Sequence, residues 1–577
     1  MKPDNVMLHY VLKLVKTDSG TGYFACFPRP EPDFETGLRY ARAHPNDEFI
    51  RRHLLRLINA WDRHTLARAI SACAAADLFL LALFYEACLL NPAFDSLRRH
   101  FAADVVQRLA DFTPLVFIGA TLLADRTCHE QWIRLFGLNI TGHKELPKPA
   151  EGTPGPPLPD RLVSEAGKVA QTLREVAGRR PAGARRQNAA ALEAAGEAAG
   201  TAALALARLA KAGIVPDPEM RHESSLSPIA LLRGWEMKTS VHNGRHRFAL
   251  EGPQTAYGRG LDLESARAAC VMEIVERCSA YATVVPGEIR GYQKPYRLLH
   301  GRASDLRRQH INHLDPNRLT LEVPYADDPF YWLEGQEAAG TGSRPIFVPA
   351  QCVFLFCNLD ERKLFSALGS TGLASGSTMA AAKVSALLEV IERDSESVMP
   401  FSQQQCFEAE TEDPMVGALL ESYDRLGIRV QFQDITTPLG VPCCKCFVIS
   451  GDGRIVKGTG AHLDAWRALL AAMTETPYPY PGGPPSQPAM KGLLRVPMEK
   501  LPNYSCGDAV GDLALIETLL VSNGFGPIYV DLTRRDVGIP VVRAIVPGME
   551  LLGDFDRFSR VNPRLYANYD RMFRPSG

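Results

Sequence analysis

Net charge is almost wholly missing from this 577-residue chain, in which 64 Lys and Arg face 65 Asp and Glu. Without a global field, bulk recruitment of nucleic acid or of an anionic membrane surface is excluded. Any charged ligand must be held by a local site. Long apolar runs are missing too. The two most apolar windows, Leu78–Leu90 and Pro114–Ala124, fall short of the ~20 residues that cross a bilayer. Both are expected as buried helices, and no membrane partner is expected. The opening Met1-Lys-Pro-Asp-Asn lacks the charged, apolar, small-residue order of a signal peptide. Thirteen scattered cysteines, an odd number, form no regular framework, which fits reduced thiols in a cytoplasmic protein. Cys443-Cys444-Lys445-Cys446 lies in a strand-like stretch with no histidine beside it, as do Cys352 and Cys357; small buried residues are expected at all of them. Two phosphate-binding signatures are absent from the second half: Gly-x-x-x-x-Gly-Lys-Ser/Thr and Gly-x-Gly-x-x-Gly. Neither a P-loop nor a dinucleotide fold is indicated.

What is present changes character along the chain. Residues Met7–Phe27 alternate around Asp18-Ser-Gly-Thr-Gly22, the pattern of a β-hairpin. From about 35 to 140 the apolar spacing is helical, as in Phe49, His53, Leu54, Leu57 and Ile58. Residues 1–145 therefore read as a mostly α-helical domain. Pro147–Pro159, with six prolines and two glycines, reads as a linker over 146–160. Residues 161–220 are Ala-rich with mixed charges, broken at Arg180-Pro181-Ala-Gly183, and read as a solvated helical arm. From about 225 to 577, strands and helices alternate with Gly-rich turns, a mixed α/β (α+β) unit. Its strand candidates include Ile346–Leu355, Arg429–Asp434, Pro527–Leu532 and Pro540–Val546. Its helix candidates include Asp262–Ala282, Thr378–Met399 and Leu463–Thr474.

The most informative feature of that unit is a repeated pentad. Glu273-Ile-Val-Glu276-Arg277 recurs as Glu389-Val-Ile-Glu392-Arg393, 116 residues later, each inside an Ala-rich helix. Glutamates three apart share one helix face, ~5–6 Å between Cβ atoms. The stripe on the first face is Ala269, Glu273, Glu276, Ala280; on the second it is Ala382, Ser385, Glu389, Glu392, Glu396. Small neighbours let another surface approach, and burying like charges is unfavourable unless a cation offsets it. A hard ion such as Mg²⁺ takes carboxylate oxygens and shares substrate phosphates. A di-iron site would call for Glu-x-x-His, and neither pentad has a histidine. Gly369-Ser-Thr-Gly372-Leu-Ala-Ser-Gly376-Ser377-Thr378 runs into the second helix. Such a turn presents backbone N–H groups to an anion, although Ser377 or Thr378 serves equally as a plain N-cap.

With these residues in place, the sequence resembles the YcaO family through most of residues 230–560. Gly258-Arg-Gly260 with Ala266-Arg-Ala-Ala-Cys-Val-Met-Glu273-Ile-Val-Glu276-Arg277 is similar to the family's first nucleotide motif. Ser370-Thr-Gly-Leu-Ala-Ser-Gly376 with Ser385-Ala-Leu-Leu-Glu389-Val-Ile-Glu392-Arg393-Asp394 is similar to the second. Trp332-Leu-Glu-Gly335, Val348-Pro349-Ala350, Asp531-Leu-Thr533 and Gly538-Ile-Pro-Val-Val-Arg543-Ala-Ile-Val-Pro-Gly548 fit the stretches between and after. The resemblance implies ATP- and Mg²⁺-dependent activation of a peptide-backbone amide by phosphorylation, giving azolines, amidines or thioamides. It places Glu273, Glu276, Glu389, Glu392 and Glu475 on the metal. Arg259, Glu276, Arg277, Ser385, Glu392, Arg393 and Arg543 would line the nucleotide. No protein nucleophile is assigned. It further implies a peptide or protein substrate, a sulfur-delivering or peptide-binding partner protein, and a homodimer.

The sequence also departs from the family. Arg259 stands where the family has lysine, a planar fork in place of a point charge, and Ala269 stands for a common serine. The third motif, Glu-x-x-Gln-x-x-Arg, begins at Glu475 but continues Thr-Pro-Tyr478-Pro-Tyr-Pro481 without its Gln or Arg. Pro477 and Pro479 stop the helix there. That loss favours the alternative of a non-catalytic adaptor, whereas four retained Glu residues favour an enzyme. The chain ends Arg574-Pro-Ser-Gly577, without the Pro-rich tail of the azoline-forming branch, so thioamidation or an unassigned variant is expected over azole formation. His462 reads as structural, at a helix start.

Overall fold

The computed structural model describes residues 8–16, 22–149, 153–178, 189–340, 342–553 and 555–573. The extreme termini, most of the expected hairpin turn (Asp18–Thr21) and the break at Arg180–Gly183 lie outside the described residues. Among those described, three sheets carry the fold, a mixed α/β architecture.

The largest sheet has eight strands. Its central pair, Ile229–Asn243 and His246–Gly260, is antiparallel throughout, and His246–Gly260 buries nearly every second residue, as a sheet with one covered face requires. The hairpin formed by Leu8–Lys16 and Gly22–Arg29 extends it, because Leu8–Val11 runs parallel to Phe248–Glu251. Gly22–Arg29 is thus an edge strand. The second sheet has the order Gly342–Pro349, Phe330–Ala339, Ile528–Asp531, Val541–Ile545, Leu373–Ser375, with Leu299–Gly301 pairing to Phe330–Ala339. The third runs Ile455–Ala461, Cys443–Ile449, Gln431–Asp434, Cys406–Glu410, Leu494–Pro497.

One helix lies against each sheet: Leu263–Ser279 on the first, Met379–Val398 on the second, Ala465–Glu475 on the third. Each starts at a capping side chain that accepts a backbone N–H of the first turn, from Asp262, Thr378 and Asp464 respectively. Thr378 is therefore the plain N-cap. The helix Ala465–Glu475 ends ahead of Pro477, which cannot continue it.

Helices fill residues 34–142. Leu78–Leu90 is buried almost all round, and its Glu86 is paired with Arg51 at 2.7 Å. Pro114–Ala120 is largely buried while Leu122 and Ala124 are exposed, and the window yields only the short helix Phe117–Thr121. The stretch after it is held in place: Trp132 Nε1 donates to Gly155 O and Tyr569 Oη to Pro147 O.

Two expectations are corrected, the solvated arm and the strand over Ile346–Leu355. The Ala-rich segment is no solvated arm: helix Ala189–Lys211 packs on Leu263–Ser279, with Ala205 and Leu209 fully buried in the main core. Small alanines allow that close approach, which composition alone reads as solubility. The strand expected over Ile346–Leu355 stops at Pro349, and Ala350–Cys352 forms a 3₁₀ turn; Cys352 and Cys357 thus lie off any strand. Cys443 and Cys446 have Cys-x-x-Cys spacing, but the extended backbone sends them to opposite faces, and both are buried free thiols.

Candidate active site

Glycine sets the distance between each site helix and the strand that feeds it. A Cβ on Gly258 would lie 2.6 Å from Cys270 Cβ, one on Gly460 2.6 Å from Ala472 N, and one on Gly376 3.0 Å from Ala381 C. These are shorter than real Cβ contacts, so only glycine lets the helix backbones settle there. The carboxylates one to four turns further along are thereby brought to the seam between the sheets.

Glu273 and Glu276 extend from the first helix. Glu273 Oε2 accepts the Tyr257 N–H at 2.6 Å. Arg277 turns back on its own pair, with Nη1 2.6 Å from Glu276 and Nη2 3.1 Å from Glu273. The second helix repeats the device more loosely: Arg393 lies 3.8 Å from Glu392 and 3.3 Å from Glu396, which also binds Lys457 at 2.6 Å. Glu392 accepts Thr459 Oγ1–H at 2.8 Å. Glu475, at the end of the third helix, is paired with Arg259 of the first sheet. Ser385 is exposed on the second helix. His462 Nδ1 accepts the Asp464 N–H at 2.8 Å, a structural turn contact.

Electrostatics ties the helices together. Burial pushes the Glu276 carboxyl up to about 8, and Glu389 and Glu273 push it in the same direction against the pull of Arg277. Burial raises Glu389 as well, offset by Arg393, Arg277 and Arg543. Glu392 is raised to about 7 by burial, with Glu475 and Glu389 adding to the rise. Glutamates from all three helices thus feel one another's charge. Among the described residues, no three His, Cys, Asp or Glu side chains are close enough to chelate one ion by themselves.

Arg543 closes the site from beneath. It sits fully buried on the strand Val541–Ile545, its two terminal nitrogens 3.0 and 3.1 Å from Gly369 O. Burial lowers its pKa to about 10. Its Nε is buried without a partner, as is that of Arg259. Guanidinium N–H groups lacking an acceptor, beside carboxyl groups that burial keeps raised despite Arg277 and Arg393, match a ligand that is anionic and carries a cation. ATP with Mg²⁺ fits that description.

The comparisons decide the family. A family model described as YcaO cyclodehydratase, ATP- and Mg²⁺-binding, matches residues 257–477 and 479–550, about half of the chain. The chain belongs to the YcaO family. An uncharacterised protein of Methanothermobacter thermautotrophicus is 29% identical over 54% of this chain and 86% of its own length. A protein described as uncharacterised in the tfuA 3′ region, from Rhizobium leguminosarum bv. trifolii, is 25% identical over 38% of this chain and 53% of its own. Among solved structures, YcaO from Methanopyrus kandleri bound with AMPPCP and Mg²⁺ is 20% identical, covering 61% of this chain and 91% of that one at a TM-score of 0.42. A heterocyclase in complex with substrate and cofactor is 18% identical, over 58% and 50%, at 0.44; the chain spans half of that protein. Membership of an ATP- and Mg²⁺-binding enzyme family makes ATP and Mg²⁺ the cofactors here.

One site residue escaped sequence reading. Thr459 lies in Gly458-Thr-Gly460, followed by the capping Asp464, just as Gly258-Arg-Gly260 is followed by the capping Asp262. That parallel was the available signal.

Proposed function

We propose that this enzyme activates a backbone amide of a peptide or protein by ATP-dependent phosphorylation, giving a thioamide or a heterocycle. A nucleophile adds to the amide carbon, the carbonyl oxygen takes a phosphoryl group, and that oxygen leaves as phosphate. Bound ATP and Mg²⁺ supply the phosphoryl group and the charge neutralisation that such a transfer needs.

The observation that carries this reading is the convergence of Glu276, Glu389 and Glu392, raised by burial on two helices, with the exposed Glu475 of a third, beside the unpartnered guanidinium N–H of Arg543. Glu273, Glu276, Glu389, Glu392 and Glu475 would hold the metal, which would add positive charge to that of Arg277, Arg393 and Arg259. Arg259, Arg277, Ser385, Arg393 and Arg543 would line the nucleotide. Arg277 and Arg393, each folded onto its own glutamates, would keep the carboxylates in place. Thr459 orients Glu392. A sulfur-delivering or peptide-binding partner protein, docked on the amino-terminal 145 residues, and a homodimer belong to the same proposal.

Phosphate release from ATP, measured with and without peptide and sulfide, tests it. Release should depend on peptide. Mass spectrometry of that peptide separates exchange of oxygen for sulfur from loss of water. Glu276→Gln keeps the shape but removes the charge and should cut turnover on the order of 100-fold. Wild-type-like turnover in that variant, or no nucleotide binding by the folded protein, would overturn the assignment.

A further inference from the structure

A large cavity lies outside the glutamate cluster. It has a volume of about 470 Å³, within the range of small-ligand pockets. Three segments supply most of its wall, the edge strand Gly22–Arg29, the helix Glu48–Asn59, and the segment from Gln351 to Leu368, with Leu90 adding to it. The first two come from outside the family-matched region.

Its walls combine two chemistries. Phe24, Phe49, Phe354, Phe356, Phe365 and Leu55 make it largely apolar. Arg52, Arg56 and Lys363 give it positive charge against a single acid, Glu48. Glu48 is already engaged by Lys363 at 2.8 Å and Arg52 at 3.2 Å. Arg56 stacks over the Phe27 ring at 3.9 Å and donates to Cys26 O at 2.9 Å. The acid that influences it, Glu31, is paired with Lys13 at 2.8 Å. Arg56 therefore brings a positive charge to an apolar cavity with no carboxylate in contact among the described residues.

The wall of the cavity leads toward the candidate active site. Leu368 in its wall precedes Gly369, the residue whose carbonyl holds Arg543. Phe356 adopts a left-handed backbone (φ 50°), which a bulky side chain rarely does. Its ring is stacked at 6.2 Å on Tyr281, which follows the first site helix and lies within the field of Arg277. Residues held in such a backbone conformation cluster at active sites and ligand clamps.

We infer that this cavity is a substrate-specificity pocket, taking an aromatic or large aliphatic side chain of the peptide with an adjacent acidic side chain on Arg56. The choice of a peptide rests on the amide-activation reading; the apolar and anionic chemistry does not. Charge complementarity selects the acidic group, and the five phenylalanines select its neighbour. Residues flanking the amide to be modified would be read here, on a surface that the amino-terminal segments contribute.

The probe is Ac-Phe-Asp-NH₂, titrated into the full chain by saturation-transfer NMR, with Ac-Phe-Asn-NH₂ and Ac-Ala-Asp-NH₂ as comparators. The Phe-Asp peptide should bind at least about tenfold more tightly than the Phe-Asn peptide, the weight of a charge-assisted hydrogen bond, and more tightly than the Ala-Asp peptide. Arg56→Gln should abolish the Asp preference. Ala367→Trp, which fills the cavity from an exposed position in its wall, should displace the peptide, while both variants keep wild-type nucleotide affinity. Equal binding of the Asp and Asn peptides, undetectable binding of Ac-Phe-Asp-NH₂, or full binding to Ala367→Trp would each overturn the assignment. Peptide binding that obeys these expectations without ATP turnover would overturn amide activation and leave the pocket standing.

Discussion

At the scale of single residues, burial of ionisable groups leaves a measurable trace outside the site as well as inside it. His143 closes the helix Arg126–Gly142, its ring stacked on Phe401 at 3.9 Å and edge-on to Phe447 at 4.6 Å. Neither ring nitrogen has a partner. Burial lowers its pKa to about 2, and the charges of Lys445 and Lys457 lower it further. In the unfolded chain a histidine takes its proton near pH ~6.5, while the folded protein refuses it. The unfolded state therefore binds more protons below that pH, and stability falls as pH drops from ~6.5 toward 2, by at most about 1.4 kcal/mol per pH unit. His143→Asn keeps a residue tolerant of the left-handed backbone (φ 52°) and removes the titration. Melting curves between pH 6.5 and 4.5 should be flatter in the variant by that slope. Parallel curves would mean that the ring is hydrated and free to protonate.

At the scale of elements, the site is a strand, a glycine, a cap and a helix, used three times. Gly460→Ala tests how tightly the third copy is built. Its Cβ would meet Ala472 N at 2.6 Å, and overpacking of this kind costs about 1–3 kcal/mol. Gly482→Ala, with open space around the new methyl, should be nearly neutral in the same thermal melts. Equal effects would show that the strand and helix move apart freely. The first two copies were legible in the sequence because each pentad is local: five residues on one helix carry both the like charges and the arginine that offsets them. The glycines, caps and helix limits followed from the same local chemistry. The third copy was only half legible. Glu475 was visible, but its pairing with Arg259, 216 residues away, and the bond from Thr459 to Glu392 arise when separate sheets meet, and no periodicity within one segment encodes that. The strand misread beyond Pro349 failed for the opposite reason, since an apolar run continued where the local backbone turned.

At the scale of the whole molecule, changes of composition along the chain do not mark which segments share a core. Tyr10 and Phe49 from the amino-terminal region, and Leu209 from the Ala-rich helix, pack in one cluster with Trp235, Phe248 and Ile274. Tyr10 meets Phe49 and Phe248 edge-on at 5.1 and 5.3 Å. Its hydroxyl donates to Asp47 at 2.8 Å, and Asp47 in turn accepts from Asn358 Nδ2 at 2.9 Å. One side chain thus joins the edge hairpin, the helical region and the segment that leads to Gly369. Tyr10→Phe removes only the hydroxyl and should cost about 0.5–1.5 kcal/mol. Tyr10→Ala empties a fully buried site and should cost about 3–5 kcal/mol. If the hairpin and the family-matched region unfold as one body, that loss appears in a single denaturation transition followed at both Trp and far-ultraviolet signals. A separate early transition in Tyr10→Ala, with the main one unmoved, would instead make the amino-terminal strands an independent attachment, and the cavity they help to enclose would lose one wall without disturbing the glutamates.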